Sequence, residues 1–358
     1  MPTILEFDLK KKLGTFQLDV QASLDGGLAG VFGRSGSGKT TLLNCLTGFL
    51  KPDAGRIVFN GTTVFSSADR VDISTQGRKF GMVFQEDLLF PHLTVKQNIF
   101  YGRRRRDNKK YVKEVIDLLA LYKLVDRYPS RLSGGERQRV ALARVLLYEP
   151  DVILMDEPVS SLDVSTRYQV LAYIKKTQRA FKVPMIYVSH SLSELLFLAD
   201  NVLVLEDGRS TDFGPAAKVL LPRHEGAESG EEVENIYELP VLGIKAGNAA
   251  LAFGPSQLMI GYGQRPIKPR VKVGIKARDI IVSTQAIDYI SARNIIPARL
   301  EQAIEHKDHY LLSTVVGTYT CLVEITRAAY EDLQLDKAKE VYLIIKSRSI
   351  IVWEEVLS

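Results

Sequence analysis

Gly33-Arg34-Ser35-Gly36-Ser37-Gly38-Lys39-Thr40 follows the short apolar run Leu28-Ala29-Gly30-Val31-Phe32 and opens a stretch of helical character over residues 40–50. The eight residues match GxxxxGK[ST] in full. Glycines at this spacing let successive backbone N–H groups turn inward around a polyphosphate, and the helix that follows adds its positive N-terminal dipole. Lys39 is then placed to neutralise the β- and γ-phosphates, and the Thr40 hydroxyl to ligate Mg²⁺. With Thr41 on the same first turn, residues 33–41 form the expected phosphate-binding set. Lys51-Pro52-Asp53-Ala54-Gly55 closes the helix, because its proline and glycine cannot continue it.

Two further stretches carry chemistry. Val152-Ile153-Leu154-Met155-Asp156-Glu157-Pro158 is an apolar run ending in two carboxylates. In an open α/β sheet, ligands bind at the C-terminal edge of such strands. Asp156 can hold the Mg²⁺ hydration shell, and Glu157 can polarise an attacking water. Leu132-Ser133-Gly134-Gly135-Glu136-Arg137-Gln138 reads as a second phosphate-binding element at a helix start. It also reads as a capping box, with Ser133 as the cap and Glu136 three residues on. One set of residues can serve both purposes.

Around these motifs the chain alternates strand and helix. Residues 5–9 and 16–20 have strand alternation, 185–189 is another short apolar run, and 164–179 has helical character. The expected fold is α/β with a mainly parallel sheet. A helical insert is expected over about 86–150, where Val112, Val115, Ile116 and Leu119 line one helix face. Residues 226–235 read as a linker, following the glutamate-rich turn in composition. Beyond it, 271–275, 310–316 and 341–345 read as short strands of a small β-rich domain. No short-period solenoid repeat is visible.

With the Ser133 motif in hand, the sequence resembles the ATP-binding subunits of ABC transporters, whose signature is LSGGQ-like. The resemblance implies a P-loop ATPase fold over residues 1–225, with an antiparallel β subdomain beside the parallel sheet. A β-barrel-like domain follows over 236–358, with a TOBE/MOP-like module at about 290–355. It implies ATP and Mg²⁺ as cofactors. Gln85, in Gly81-Met82-Val83-Phe84-Gln85, resembles the glutamine that senses Mg²⁺ and the transmembrane partner. Asp163, in Ser160-Ser161-Leu162-Asp163, is similar to the D-loop aspartate, and His190 to the switch histidine that contacts the γ-phosphate. The catalytic set implied is Glu157, His190 and Gln85, with Thr40, Gln85 and Asp156 at the metal. Ser133, Gly134, Gly135 and Asp163 would serve nucleotide held by a second copy. One element departs from the pattern: near Leu13-Gly14, where most members stack adenine on a ring, none is present. Phe16 and Phe7 are the neighbouring candidates.

The stretch Phe84-Gln85-Glu86-Asp87-Leu88-Leu89-Phe90-Pro91-His92 resembles the importer branch. Importers of sugars, sulfate, iron and polyamines share this layout, but two stretches resemble the molybdate/tungstate importer ATPase. One is Tyr187-Val188-Ser189-His190-Ser191-Leu192 with Glu194; the other is Ser291-Ala292-Arg293-Asn294-Ile295-Ile296 with Ile344-Ile345-Lys346-Ser347. Serines, Arg293 and Lys346 are suitable donors for a tetrahedral dianion, and a purely structural dimerising module accounts for the same residues. Pro297 occupies the place of a glycine usual in the family. The partners implied are a second copy, two transmembrane permease subunits and an extracytoplasmic substrate-binding protein.

Composition agrees with a subunit that reaches the membrane through others. Of 358 residues, 46% are apolar and 25% charged, and no run of about 18 uncharged apolar residues occurs. The first residues lack the basic start and apolar block of a secretory leader. The expected place is the cytoplasmic face of the inner membrane, as a peripheral subunit. Cys45 and Cys321 fit no metal or CxxC pattern and read as buried thiols. A net charge of +5 is too mild to argue nucleic-acid binding, and the basic run at 103–106 reads as a solvated face. A repair or translation factor of this class normally carries two cassettes or a long coiled-coil insert, and neither is present.

Overall fold

The computed structural model describes residues 3–102, 108–220, 233–245, 247–263, 269–306 and 309–353. The arginine run at 103–106 and residues 226–232 of the expected linker lie outside the described residues. The chain divides into two compact units, Met1–Leu220 and Leu221–Val356.

The first unit opens with the hairpin β1 (Thr3–Leu13) and β2 (Phe16–Asp25), whose alternate residues Leu5, Leu9, Leu18 and Val20 are buried. Strand β3 (Leu28–Phe32) feeds the glycine loop and α1 (Lys39–Thr47). Then come β4 (Ala54–Phe59), β5 (Thr62–Ser66), β6 (Val71–Asp72), the single turn α2 (Thr75–Arg78) and β7 (Phe80–Val83). The insert holds α3 (Val95–Phe100), α4 (Lys109–Leu118) and α5 (Gly134–Leu147). It is followed by β8 (Val152–Asp156), α6 (Val164–Phe181), β9 (Met185–Ser189) and α7 (Leu192–Leu198). The unit ends with β10 (Asn201–Glu206), β11 (Arg209–Pro215) and α8 (Ala216–Leu220).

All eleven strands share one sheet, ordered β6-β5-β4-β1-β2-β11-β10-β3-β9-β8-β7. From β10 to β7 the neighbours are parallel, and from β6 to β2 they are antiparallel. Every residue of β3, β8 and β9 is buried, which explains why they read as unbroken apolar runs. The first helix ends three residues earlier than its sequence pattern, because Gly48 takes a left-handed φ of 83° and caps Asn44 and Cys45. Arg78 reinforces that end by donating to the Cys45 and Leu46 carbonyls at 2.8 and 2.7 Å.

The second unit contains β12 (Glu234–Lys245), β13 (Asn248–Phe253), β14 (Ser256–Gly261), β15 (Arg270–Lys276) and β16 (Ile281–Ser283). After these come β17 (Asn294–Glu305), β18 (His309–Val316), β19 (Tyr319–Thr326), the short α9 (Arg327–Asp332), β20 (Glu340–Ile345) and β21 (Ile350–Trp353). Two of these strands are twelve residues long, so the unit is not built of short strands alone. Glu234 and Asn235, inside the expected linker, already belong to β12. The two sheets are ordered β14-β13-β12-β15-β21 and β16-β20-β17-β18-β19. Reversing the second order gives the same topology twice, with the last strand of each half exchanged into the other sheet. One core, including Phe253, Leu251, Leu312 and Val323, fills the unit.

Candidate nucleotide-binding site

The phosphate loop sits where β3 leaves the sheet, between β9 and β10. Gly36 and Gly38 adopt φ of +82° and +102°, a region closed to most side chains. A Cβ on Gly33 would collide with Ser37 Oγ and the Leu205 carbonyl. Arg34, Ser35 and Gly36 are exposed, Ser37 is buried, and Thr41 is half-buried on α1. No side chain caps the N-terminus of α1 and no acidic residue occupies its first turn. The helix's own first turn therefore leaves its N–H groups and dipole without a capping side chain or a carboxylate of their own.

Five side chains meet beside that loop. Lys39 is buried, and its Nζ donates to the carbonyls of Gly33 and Arg34 at 2.6 and 2.9 Å. Thr40 Oγ1 donates to Asp156 Oδ2 at 2.8 Å. Glu157 Oε1 lies 3.4 Å from Lys39 Nζ, and its Oε2 lies 2.9 Å from His190 Nδ1. Parallel pairing of Asp156 with Val188 carries Glu157 and His190 to the same sheet edge. Glu157 itself takes a left-handed φ of 45°, a strained conformation for a side-chain-bearing residue, with its N–H bonded to the Val188 carbonyl at 3.0 Å.

The two neighbouring carboxyls titrate in opposite directions. Burial and the charge of Glu157 raise Asp156 above the ordinary aspartate range, despite the Thr40 bond. Burial also pushes Glu157 upward, but the bond and charge of His190 and the charge of Lys39 outweigh it and hold Glu157 low. Such a split gives two adjacent acids different tasks.

Gln85 is exposed beyond β7, at the same edge, because Val83 pairs with Met155. It stands outside the bonded cluster. Ser133 and Asp163 stand outside it too. Ser133 caps α5 by accepting from Glu136 N–H, and Glu136 accepts from Ser133 N–H at 2.8 Å, the capping box read from the sequence. Asp163 caps α6 through Thr166 N–H. Gly135 lets α5 approach α6, since a Cβ there would lie 2.5 Å from Thr166 Cγ2, and a Cβ on Gly134 would lie 2.6 Å from Leu162 Cδ2 in the loop before α6.

Of the two rings considered for the base, Phe7 is buried in the core beside Leu5 and Leu9, so it offers no face to a ligand. Phe16 is half-buried and lines a cavity of about 320 Å³ with Thr15, Gln17, Gly36, Asp207 and Arg209. Asp207 and Arg209 were missed by sequence reasoning, because they arrive from the β10–β11 turn, far along the chain.

A buried platform beneath His190 was missed as well. Glu194 Oε2 accepts from Tyr187 Oη and from Ser189 Oγ, both at 2.8 Å, and Arg167 Nε lies 3.6 Å from its other oxygen. Burial raises the Glu194 carboxyl despite these donors. Arg167 also donates to the Leu162 carbonyl at 3.2 Å, tying the platform to the Asp163 loop.

The family model for ABC transporters matches residues 18–160, and the model for the TOBE domain matches 290–352. A molybdenum import ATP-binding protein of Paramagnetospirillum magneticum is 35% identical over 97% of this chain and 98% of its own. Its counterpart in Haemophilus influenzae is 36% identical over 97% of this chain and all of its own. The chain belongs to the ABC transporter family, as one of its ATPase subunits. Among solved structures, cbiO1 of Clostridium perfringens, part of the transporter complex cbiONQ, is 26% identical and superposes with a TM-score of 0.56. That match covers 64% of this chain and 96% of cbiO1. Among the described residues no helix is long and apolar enough to cross a membrane. An ATPase subunit of an ABC importer implies membrane permease partners.

In the second unit, the two stretches expected to carry anion donors come together. Asn294 pairs with Ile345, and its Nδ2 donates to the Ile345 carbonyl at 3.0 Å. Arg293 and Lys346, the residues flanking that pair, are both exposed. Pro297 sits opposite Tyr342 in the same ladder.

Proposed function

We propose that the chain hydrolyses ATP to drive import of molybdate, or the chemically similar tungstate, from the cytoplasmic face of the inner membrane. The cluster of Lys39, Thr40, Asp156, Glu157 and His190 around the phosphate loop carries the ATPase part of this reading. Residues 33–41 would wrap the triphosphate, with backbone N–H groups and Lys39 balancing its charge. Thr40 Oγ1 and Asp156 Oδ2 are hard oxygen ligands 2.8 Å apart and fit Mg²⁺, with Gln85 as a third ligand. Mg²⁺, when bound, would neutralise charge building on the β- and γ-phosphates. Glu157 is held ionised and orients the attacking water through an oxygen already shared with His190. His190 donates toward the γ-phosphate.

Ser133, Gly134 and Gly135, with Asp163, would act on nucleotide held by a second copy. Two ATPs then hold the copies together, and hydrolysis lets them part. Residues 85–92 and the helical insert dock two permease subunits, and an extracytoplasmic binding protein delivers the substrate. The 1–225 domain is the motor. The 236–358 domain, with its 290–355 module, regulates it, and Arg293 with Lys346 offers charge-assisted donors to an oxyanion. Support for molybdate comes from likeness, along both units, to proteins named for molybdenum import.

Light scattering of the Glu157→Gln chain tests the motor. Mg-ATP should convert monomer to dimer, and a chain that binds ATP yet stays monomeric would refute Ser133 acting across an interface. For the substrate, the assembled transporter in vesicles should take up molybdate in preference to sulfate. Equal uptake of both would refute the molybdate assignment.

A further inference from the structure

The loop after β7 and the loop before α5 are far apart in sequence, yet one guanidinium holds both. Arg137, in the first turn of α5, directs Nε to Asp87 Oδ2 at 2.7 Å and Nη1 to the carbonyl of Leu132 at 2.9 Å. Leu132 immediately precedes Ser133, and Asp87 lies two residues beyond Gln85. A second arginine of α5 reinforces the first half of this contact: Arg144 donates to the Leu88 carbonyl at 2.8 Å and to the Asp87 carbonyl at 3.4 Å. Leu88 takes a left-handed φ of 44°, which turns its carbonyl and that of Asp87 toward α5.

A helix cap does not need this arrangement. Ser133 and Glu136 complete their capping box without Arg137, so the guanidinium is free to bridge. The Asp87 side chain is only 19% exposed, and it meets Arg137 through the single short contact from Nε while Nη1 of the same rigid guanidinium reaches Leu132.

We propose that Arg137 is a positioning residue that locks the Gln85 loop to the Ser133 loop, so that the two move as one body. The inference rests on the reading above, in which residues 85–92 meet the permease and Ser133 meets nucleotide on a second copy. Under it, a displacement of residues 85–92 by the permease shifts the phosphate-facing serine without passing through the sheet. Arg137 thereby couples the permease to the partner's ATP site, without touching nucleotide itself.

Two measurements test this, using Arg137→Gln, Asp87→Asn and the double variant. The first is amide hydrogen exchange in the full-length chain without nucleotide, which does not depend on the transport reading. Arg137→Gln should speed exchange in residues 86–89 and 132–136 together, whereas loosening confined to 132–136 would overturn the lock. The second is ATPase rate in the assembled transporter, with and without its permease stimulus. Each single variant should cut the stimulated-to-unstimulated ratio by about fivefold or more. The double should lose no more than Arg137→Gln alone, since the Arg137–Asp87 contact that Asp87→Asn removes is already gone in that variant. Additive losses, or a stimulation ratio unchanged in Arg137→Gln, would overturn the proposal. A wild-type transporter that permease does not stimulate, alongside coupled exchange in both loops, would overturn the transport reading and leave the lock standing.

Discussion

Glu157 bridges His190 and Lys39: one carboxylate oxygen lies 2.9 Å from His190 Nδ1 and the other 3.4 Å from Lys39 Nζ. A single side chain therefore ties the end of β8 to the residue after β9 and to the start of α1. Glu157→Gln keeps the shape but removes the charge that the other two residues favour. Its ATPase kcat should fall about 10²- to 10⁴-fold while ATP affinity is retained. His190→Ala should lower kcat in the same range with little change in nucleotide binding. Steady-state kinetics with parallel binding titrations checks both, and a variant that loses binding rather than turnover would contradict the roles assigned.

The opposite shifts of Asp156 and Glu157 give opposite dependences of stability on pH. Glu157 is held below its ordinary 4.5, so the unfolded chain binds the proton more readily. Its contribution is complete above about pH 4.5 and disappears as pH falls through the lowered native value. Asp156 is raised above its ordinary 3.8, so the native chain binds the proton more readily. Its effect is a loss of stability as pH rises from 3.8 through the raised value. Thermal unfolding between about pH 3 and 6 should show the difference from wild type changing in opposite directions for Glu157→Gln and Asp156→Asn. The same direction in both would rule out the split.

Gly135 is required by packing inside one chain, independently of any nucleotide. Its missing side chain leaves room for the Thr166 methyl, 2.5 Å from where a Cβ would stand. Gly135→Ala should destabilise the free chain by about 1–3 kcal/mol through overpacking. Thr166→Ser removes the methyl while leaving the backbone N–H that Asp163 caps. The pair of substitutions should then recover most of the loss in denaturant unfolding. An undiminished loss in the double variant would mean the clash is not the cause.

Asn235 and Asn294 hold matching places in the two halves of the second unit. Asn235 Nδ2 donates to Ile275 and Leu322 carbonyls at 3.2 and 2.8 Å, and its Oδ1 accepts from Leu322 N–H. Asn294 does the same with Ile345 and Met259, both carbonyls at 3.0 Å, and with Met259 N–H. Each amide thus joins its own half to the other. Either Asn→Ala change strands buried backbone groups and should cost about 3 kcal/mol. Calorimetry of the full chain should show similar losses for the two, and a silent substitution at either position would break the equivalence.

What sequence alone made legible follows from how local each feature is. The glycine loop, the Ser133 capping box and the β8 carboxylates depend on backbone chemistry within a few residues, so they could be read directly. The Glu194 platform could not, since Tyr187, Glu194 and Arg167 are brought together only by packing α6 and α7 on β9. Phe16 is the ring nearest Leu13-Gly14 in sequence and Phe7 the second candidate; strand alternation sends Phe7 into the core. The duplication of the second unit is faint because only fragments persist. Lys276-Ala277-Arg278 and Lys346-Ser347-Arg348 each leave a buried strand and form a 3₁₀ turn, and aligning them would have exposed it.

Phe16 combines two duties, and separating them yields the last prediction. Its ring edge packs where a Cβ on Gly38 would stand, at 2.8 Å, and the ring lines the cavity shared with Gly36 and Arg209. If a base stacks there, Phe16→Ala should weaken ATP binding by about 1–3 kcal/mol, the usual worth of one base–aromatic contact. Phe16→Leu fills much of the same volume against Gly38 without a π-face, so it isolates stacking from loop support. Titration with ATP and with inorganic triphosphate distinguishes the two duties. Loss of ATP affinity in both variants, with triphosphate binding weakened only in Phe16→Ala, is the expected pattern. Unchanged ATP affinity in Phe16→Leu would mean that the base does not stack on this ring.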